Sequence, residues 1–245
     1  MHADDLTVSL SILWFHSADA AALPSYVQSK TDFYDYLESS LTGLIDEGTD
    51  WISALSNASS LIFNSMNRFP EWREKRVNWA GFYLLSPLLP SELHQRKHRR
   101  NPTLLLGPFN GLPACQLIWS VPGKGVCADA SALLPPRVVR VADTEAYPGH
   151  IACDSLSKSE IVVPLVIPRQ RLAKVHQEAL EQQSPLGKEA QIADGADRSW
   201  AGRGDKEDII IGVLDIDCES LDGFDQEDEA RLQKIADLIV ERSAW

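Results

Sequence analysis

The segment 208–217, DIIIGVLDID, constrains the fold more than any other stretch of the chain. It reads as the strongest β-strand in the sequence. Side chains alternate along a strand, so Asp215 and Asp217 share one face with Ile209, Ile211 and Val213, while Leu214, Ile216 and Cys218 take the other. Two aspartates at i and i+2 are unexpected at the end of so apolar a strand. A surface strand would carry Thr or Lys there, and a core strand Val. A lone Asp would mark the strand emerging into solvent, whereas a pair marks a candidate site. Close carboxylates repel, and burial adds to the repulsion, so at least one should hold its proton to higher pH. A neutral carboxylic acid can then act as a proton donor near pH 7.

Glu160 opens a second apolar strand, 160–167 (EIVVPLVI), directly after a loop carrying Cys153. Taken alone it is a solvent-facing glutamate at a strand start. If strands 160–167 and 208–217 pair as sequence neighbours usually do, Glu160, Asp215 and Asp217 converge.

Further strands are expected at 77–85 (VNWAGFYLL), 103–109, 114–120 and 137–142. Helical spacing places Phe33, Leu37, Leu41 and Leu44 on one face of a helix over 31–47, with Thr31 as its N-cap and Gly48 as its stop. A second helix over 50–67 presents Ile52, Leu55, Ile62 and Met66. A short helical stretch, ADASALL, follows the glycine turn PGKGVC, and a last helix opens after Asp225. About six strands in one block, without continuous βαβ alternation, predict an α+β domain. Its sheet is mainly antiparallel, with helices on both faces.

Residues 1–30 read as a poorly ordered N-terminal extension; Asp4 and Asp5 stand where a signal peptide needs positive charge. Residues 31–245 read as one domain with insertions at 86–102 and 168–207. The first insertion holds a basic cluster, Arg96, Lys97, Arg99 and Arg100, expected to be a solvated loop rather than a nuclear-import patch. The 23 basic against 35 acidic residues give a net charge of −12, which argues against nucleic-acid and anionic-membrane partners. No apolar run has the length of a membrane-spanning helix.

Four cysteines, at 115, 127, 153 and 218, are too few for a disulfide scaffold and form no C-x-x-C pair, so no metal site is expected. Their connectivity is open, since four cysteines allow three full pairings. Cys153 lies in a loop with His150 and Asp154, and Cys115 and Cys127 flank the glycine turn. Thiols around a carboxylate cluster suggest redox chemistry through a sulfenic acid and a disulfide, one hypothesis among several. PGKGVC lacks the G-x-x-x-x-G-K-[ST] spacing of a phosphate loop.

The chain resembles the GAF-domain free methionine-(R)-sulfoxide reductases. The matching segments are NWAGFY (78–83), LLGPF (105–109), PACQ (113–116), GKGVC (123–127), YPGHIACD (147–154), SEIVVPL (159–165) and GVLDIDC (212–218), with GFDQEDEARL near the C-terminus. The resemblance implies a six-stranded antiparallel GAF sheet enclosing a small-ligand pocket. It implies reduction of free L-methionine (R)-S-oxide with no bound cofactor. Electrons would come from thioredoxin, itself reduced by NADPH through thioredoxin reductase. By motif, Cys153 resembles the nucleophile, Cys115 the resolving thiol and Cys127 an auxiliary thiol. Glu160, Asp215 and Asp217 resemble the acids that bind and protonate the sulfoxide oxygen, and Trp79 and Tyr83 the aromatic wall beside the substrate methyl group. Cys218 matches no position that chemistry needs. A role in the oxidative stress response, a cytoplasmic location with a nuclear pool as an option, and a homodimer are further expectations. The competing readings are a non-catalytic GAF sensor of a small ligand and a redox-responsive scaffold.

Overall fold

Ser29 opens the first helix. Its hydroxyl accepts from the Asp32 backbone N–H while the Asp32 carboxylate accepts from the Ser29 N–H, a reciprocal capping box. Helix α1 runs Lys30–Leu44 and buries Phe33, Tyr34, Leu37 and Leu41. The expected cap, Thr31, is corrected to Ser29, because only Ser29 has an acidic partner three residues on; Thr31 instead donates to Glu227 at 3.1 Å. The helix ends before Gly48, and Leu44 is exposed rather than buried. Of the 30-residue extension, residues 22–30 are described, and Lys30 already belongs to α1. The computed structural model describes residues 22–88, 103–133, 135–149, 155–174 and 208–245.

Helix α2 (Trp51–Met66) is capped by Asp50 and buries Leu55, Ile62 and Met66; Ile52, expected on the same face, is exposed. The periodicity was sound, but the first turn projects past the partner surface. A short helix α3 (Pro70–Lys75) leads into the sheet through Arg76 in the left-handed region. Six strands follow: β2 (Val77–Leu85), β3 (Thr103–Gly111), β4 (Leu117–Trp119), β5 (Val139–Val141), β6 (Ser159–Pro168) and β7 (Asp208–Cys218). They lie in the order β4-β3-β2-β7-β6-β5, every neighbour antiparallel. The expected α+β architecture is thus present, though β4 is shorter than the 114–120 segment read from sequence. A two-residue strand β1 (Thr49–Asp50) pairs in parallel with β8 (Ser243–Ala244) beside the stacked rings of Trp51 and Trp245.

The sheet is sandwiched. Asn110 donates to Ser59 of α2, which places α2 on the face of Ala80 and Asn110. Helix α5 (Gln226–Arg242), capped by Asp225 in a second capping box, packs on β6 and against α1 and α2. On the opposite face a short helix, α4 (Val126–Ala132), crosses β6 and β7. Among the described residues no helix is long and apolar enough to cross a membrane.

The two insertions begin on the core. Residues 86–88 form a 3-10 turn with Leu88 buried, and Arg169–Arg171 form another, followed by buried Leu172. Ala173 N–H bonds the Trp245 carbonyl at 3.1 Å. The basic cluster 96–100 and residues 175–207 lie outside the described residues.

Candidate active site

The β6–β7 ladder sets Glu160 opposite Asp217 and Val162 opposite Asp215. On the other side of β7, Trp79 faces Asp217, Gly81 faces Asp215 and Tyr83 faces Val213. A register shift between Val77 and Trp79 brings this alternation into phase. Directly opposed residues in an antiparallel pair project to the same side, so Trp79, Tyr83, Glu160, Asp215 and Asp217 share one face of the sheet. That is the face covered by α4.

From α4, Cys127 reaches down onto the acids. Its thiol donates to Asp215 Oδ2 at 3.2 Å and to Glu160 Oε1 at 3.7 Å. Glu160 is 5% exposed, Asp215 6% and Cys127 6%; Asp217 is half-buried. Burial, reinforced by Asp215 and Asp217, pushes the Glu160 carboxyl well above the usual carboxylate range. Burial raises Asp215 to about 6, against the lowering effect of hydrogen bonds from Cys127 and Glu160. Of the two, Glu160 is therefore the acid that holds its proton to higher pH, and Asp215 accepts its hydrogen bond. The same surroundings push the Cys127 thiol well above its ordinary value, burial first and Asp215 second, so Cys127 is a hydrogen-bond donor here and not a thiolate. Asp215 Oδ1 is buried and has no hydrogen-bond partner among the described residues. Cys127 Sγ and one oxygen each of Glu160 and Asp215 lie within 4.8 Å of one another, and among the described residues these are the atoms that could hold a metal ion.

The aromatic wall depends on a glycine. Trp79 stacks on Tyr83 at 5.8 Å and on Phe109 at 5.4 Å. The indole lies across Gly81, where an added Cβ would stand 2.5 Å from the ring and collide with Phe109. Tyr83 donates to the Cys115 carbonyl at 3.0 Å, tying the wall to the loop that bears that cysteine. Burial and Asp215 hold the Tyr83 hydroxyl protonated far above its ordinary range.

Cys115 is half-buried and disulfide-bonded, while Cys127 and Cys218 are free thiols. Cys218 lies on the other side of the sheet, as its place in the alternation requires, and donates to the Lys75 carbonyl. Cys153 and His150 lie outside the described residues. Phe109 was missed by sequence reasoning, although its place in LLGPF, opposite Gly81, would have revealed it once the β2–β3 register was known. Asp129 and Tyr147 were also missed; the Asp129 carboxylate accepts from the Gly123 N–H and from the Tyr147 hydroxyl, each at 2.6 Å.

A six-stranded antiparallel sheet between helices is the plan of a GAF domain. A solved GAF-domain structure superposes with a TM-score of 0.64 at 33% identity, covering 95% of this chain and 99% of that one. The free methionine-R-sulfoxide reductase of Saccharomyces cerevisiae is 35% identical over 92% of this chain and 93% of its own length. A free methionine-R-sulfoxide reductase from Neisseria meningitidis, solved in complex with its substrate, superposes with a TM-score of 0.55 at 28% identity, covering 91% of this chain and 95% of that one. No protein-family model matches. The chain belongs to the GAF-domain free methionine-R-sulfoxide reductase family.

Proposed function

We propose that this protein reduces free L-methionine (R)-S-oxide to L-methionine. The observation that carries this reading is a carboxylic acid, Glu160, kept protonated beside Asp215 and next to a stacked aromatic wall. A sulfoxide oxygen leaves sulfur only when protonated, and Glu160 is built to supply that proton. Asp215 and Asp217 would hold the cationic and polar end of the amino acid, and Trp79 with Tyr83 the methylthio end. The Cys153 thiolate attacks the sulfoxide sulfur, methionine departs, and the oxygen remains on Cys153 as a sulfenic acid. The Cys115 thiol attacks that sulfenic acid and releases water, leaving a disulfide between the two. The oxidised state of Cys115 supports its part in this cycle. A dithiol protein, thioredoxin in this reading, reduces the disulfide and draws its electrons from NADPH. The free thiols of Cys127 and Cys218 fit a reducing compartment, the cytoplasm.

A thioredoxin-coupled NADPH assay tests the proposal with free R-sulfoxide, free S-sulfoxide and an N-acetylated analogue. Consumption restricted to the free R form is the expected result. Binding of a small ligand without consumption would transfer the site to the sensor reading, and neither would leave only a scaffold.

A further inference from the structure

The sequence holds no C-x-x-C pair, so a metal site in this chain has to be assembled by the fold from residues far apart. One donor set is assembled in this way. Cys127 comes from the first turn of α4, Glu160 from the start of β6 and Asp215 from the second half of β7. The thiol sulfur and one oxygen of each acid all lie within 4.8 Å of one another. Around a tetrahedral zinc ion, bonds of about 2.3 Å to sulfur and about 2.1 Å to oxygen set those two atoms about 3.6 Å apart. Cys127 Sγ stands 3.2 Å from Asp215 Oδ2 and 3.7 Å from Glu160 Oε1, one on each side of that value. Small side-chain rotations bring all three donors onto one ion.

The surroundings favour a cation. Asp215 is 6% exposed; its Oδ2 meets the thiol, and its Oδ1 is buried with no hydrogen-bond partner among the described residues. A buried carboxylate oxygen without a donor is costly, and a bound cation removes that cost. Asp217, opposite Glu160 in the ladder, adds another carboxylate to the same face. The thiol selects the metal. Magnesium and calcium take oxygen donors, whereas zinc takes thiolate and carboxylate together. Three protein donors and one position left for exchange describe an accessible zinc centre, not a closed structural one.

We infer that Cys127, Glu160 and Asp215 form a zinc-binding site, and that zinc held there reversibly blocks catalysis. As the metal–sulfur bond forms, the Cys127 proton, with any proton on the two acids, passes to solvent, and no electrons move. The block rests on the reductase reading, since the ion occupies the acid that gives the proton and the carboxylate that holds the substrate. The binding does not rest on it.

The test titrates the oxidised protein, in which Cys115 is disulfide-bonded and Cys127 and Cys218 are free thiols, with Co²⁺. A thiolate-to-cobalt charge-transfer band reports a metal–sulfur bond, and Zn²⁺ then displaces the cobalt. One Co²⁺ per chain with that band is expected. Cys127→Ala should abolish the band and weaken Zn²⁺ binding by about 100-fold, Asp215→Asn should keep the band and weaken binding by about 10-fold, and Cys218→Ala should change neither. No band in the wild type, a band surviving in Cys127→Ala, or unchanged Zn²⁺ affinity in Asp215→Asn would overturn the site. For the block, reduced protein is given free R-sulfoxide without an electron donor. Methionine formation should fall on adding Zn²⁺ and return with EDTA, and Cys127→Ser should need about 10-fold more Zn²⁺ for the same inhibition. Equal sensitivity of Cys127→Ser would overturn the block. If no methionine forms without zinc, the reductase reading fails, and the cobalt titration still decides the site.

Discussion

The Cys127 thiol points at a carboxylate, donating to Asp215 at 3.2 Å, and both residues are buried. A thiol so placed holds its proton, because ionising it would set a second anion against Asp215 in a medium of low dielectric. Cys127 therefore serves as a donor that fixes the Asp215 carboxylate, and a thiolate nucleophile must come from elsewhere, from Cys153 in the proposed cycle. Cys153→Ser should abolish turnover altogether. Cys127→Ser keeps a donor and should retain activity within about 10-fold, whereas Cys127→Ala should lose more and move the pH profile. Steady-state kinetics of the three variants check this; an inactive Cys127→Ser beside an active Cys153→Ser would exchange the two roles.

Glu160 should matter for chemistry more than for binding. Glu160→Gln keeps the shape and hydrogen bonds but cannot give up a proton, so kcat should fall by about 100-fold or more with KM little changed. In the wild type the rate should decline as pH rises through the raised Glu160 value, because the base form cannot protonate the sulfoxide oxygen. A wild-type rate in Glu160→Gln would remove the general-acid role.

The acids should cost stability in return. Asp215 carries a pKa raised to about 6 in the folded state against about 4 unfolded. The folded protein thus binds the proton more tightly, so its contribution is fully present below about pH 4 and is lost as pH rises to about 6. Cys127, Glu160, Asp217 and Tyr83 surround it, and none is a cation that would offset the loss. Asp215→Asn should accordingly stabilise the protein at pH 8 by about 1–3 kcal/mol while impairing catalysis. Denaturant titrations at pH 5 and pH 8 measure this; destabilisation at pH 8 would show that the charged carboxylate is satisfied in the fold.

Gly81 is the narrow point of the aromatic wall. Gly81→Ala should displace Trp79 from its stack, destabilising the fold by about 1–3 kcal/mol and raising KM. A Trp79 fluorescence or near-ultraviolet signal identical to wild type, with normal KM, would show that the ring position carries no weight.

The parts legible in the sequence are those fixed by period and adjacency. The apolar runs of β6 and β7 announced two buried strands, and their pairing put Glu160 opposite Asp217. Asp225 was visible as the start of the last helix because its capping partner Asp228 stands three residues on. Ser29 carried the same signal, Asp32 three residues on, and was passed over because Thr31 is an equally good cap by residue type alone. Leu44 and Ile52 fit their helical faces, yet the sequence does not show where the partner surface stops. The Asp129–Tyr147 bond joins the first turn of α4 to the loop after β5, with no shared period, so nothing local foretold it.

The most direct measurement uses no electron donor. Fully reduced protein is mixed with excess free methionine-(R)-sulfoxide, and methionine and remaining thiols are counted. The account predicts one methionine formed per chain, two thiols lost per chain with Cys115 among them, and no reaction with the S form. Methionine formed without thiol loss, equal consumption of both isomers, or no methionine at all would contradict it.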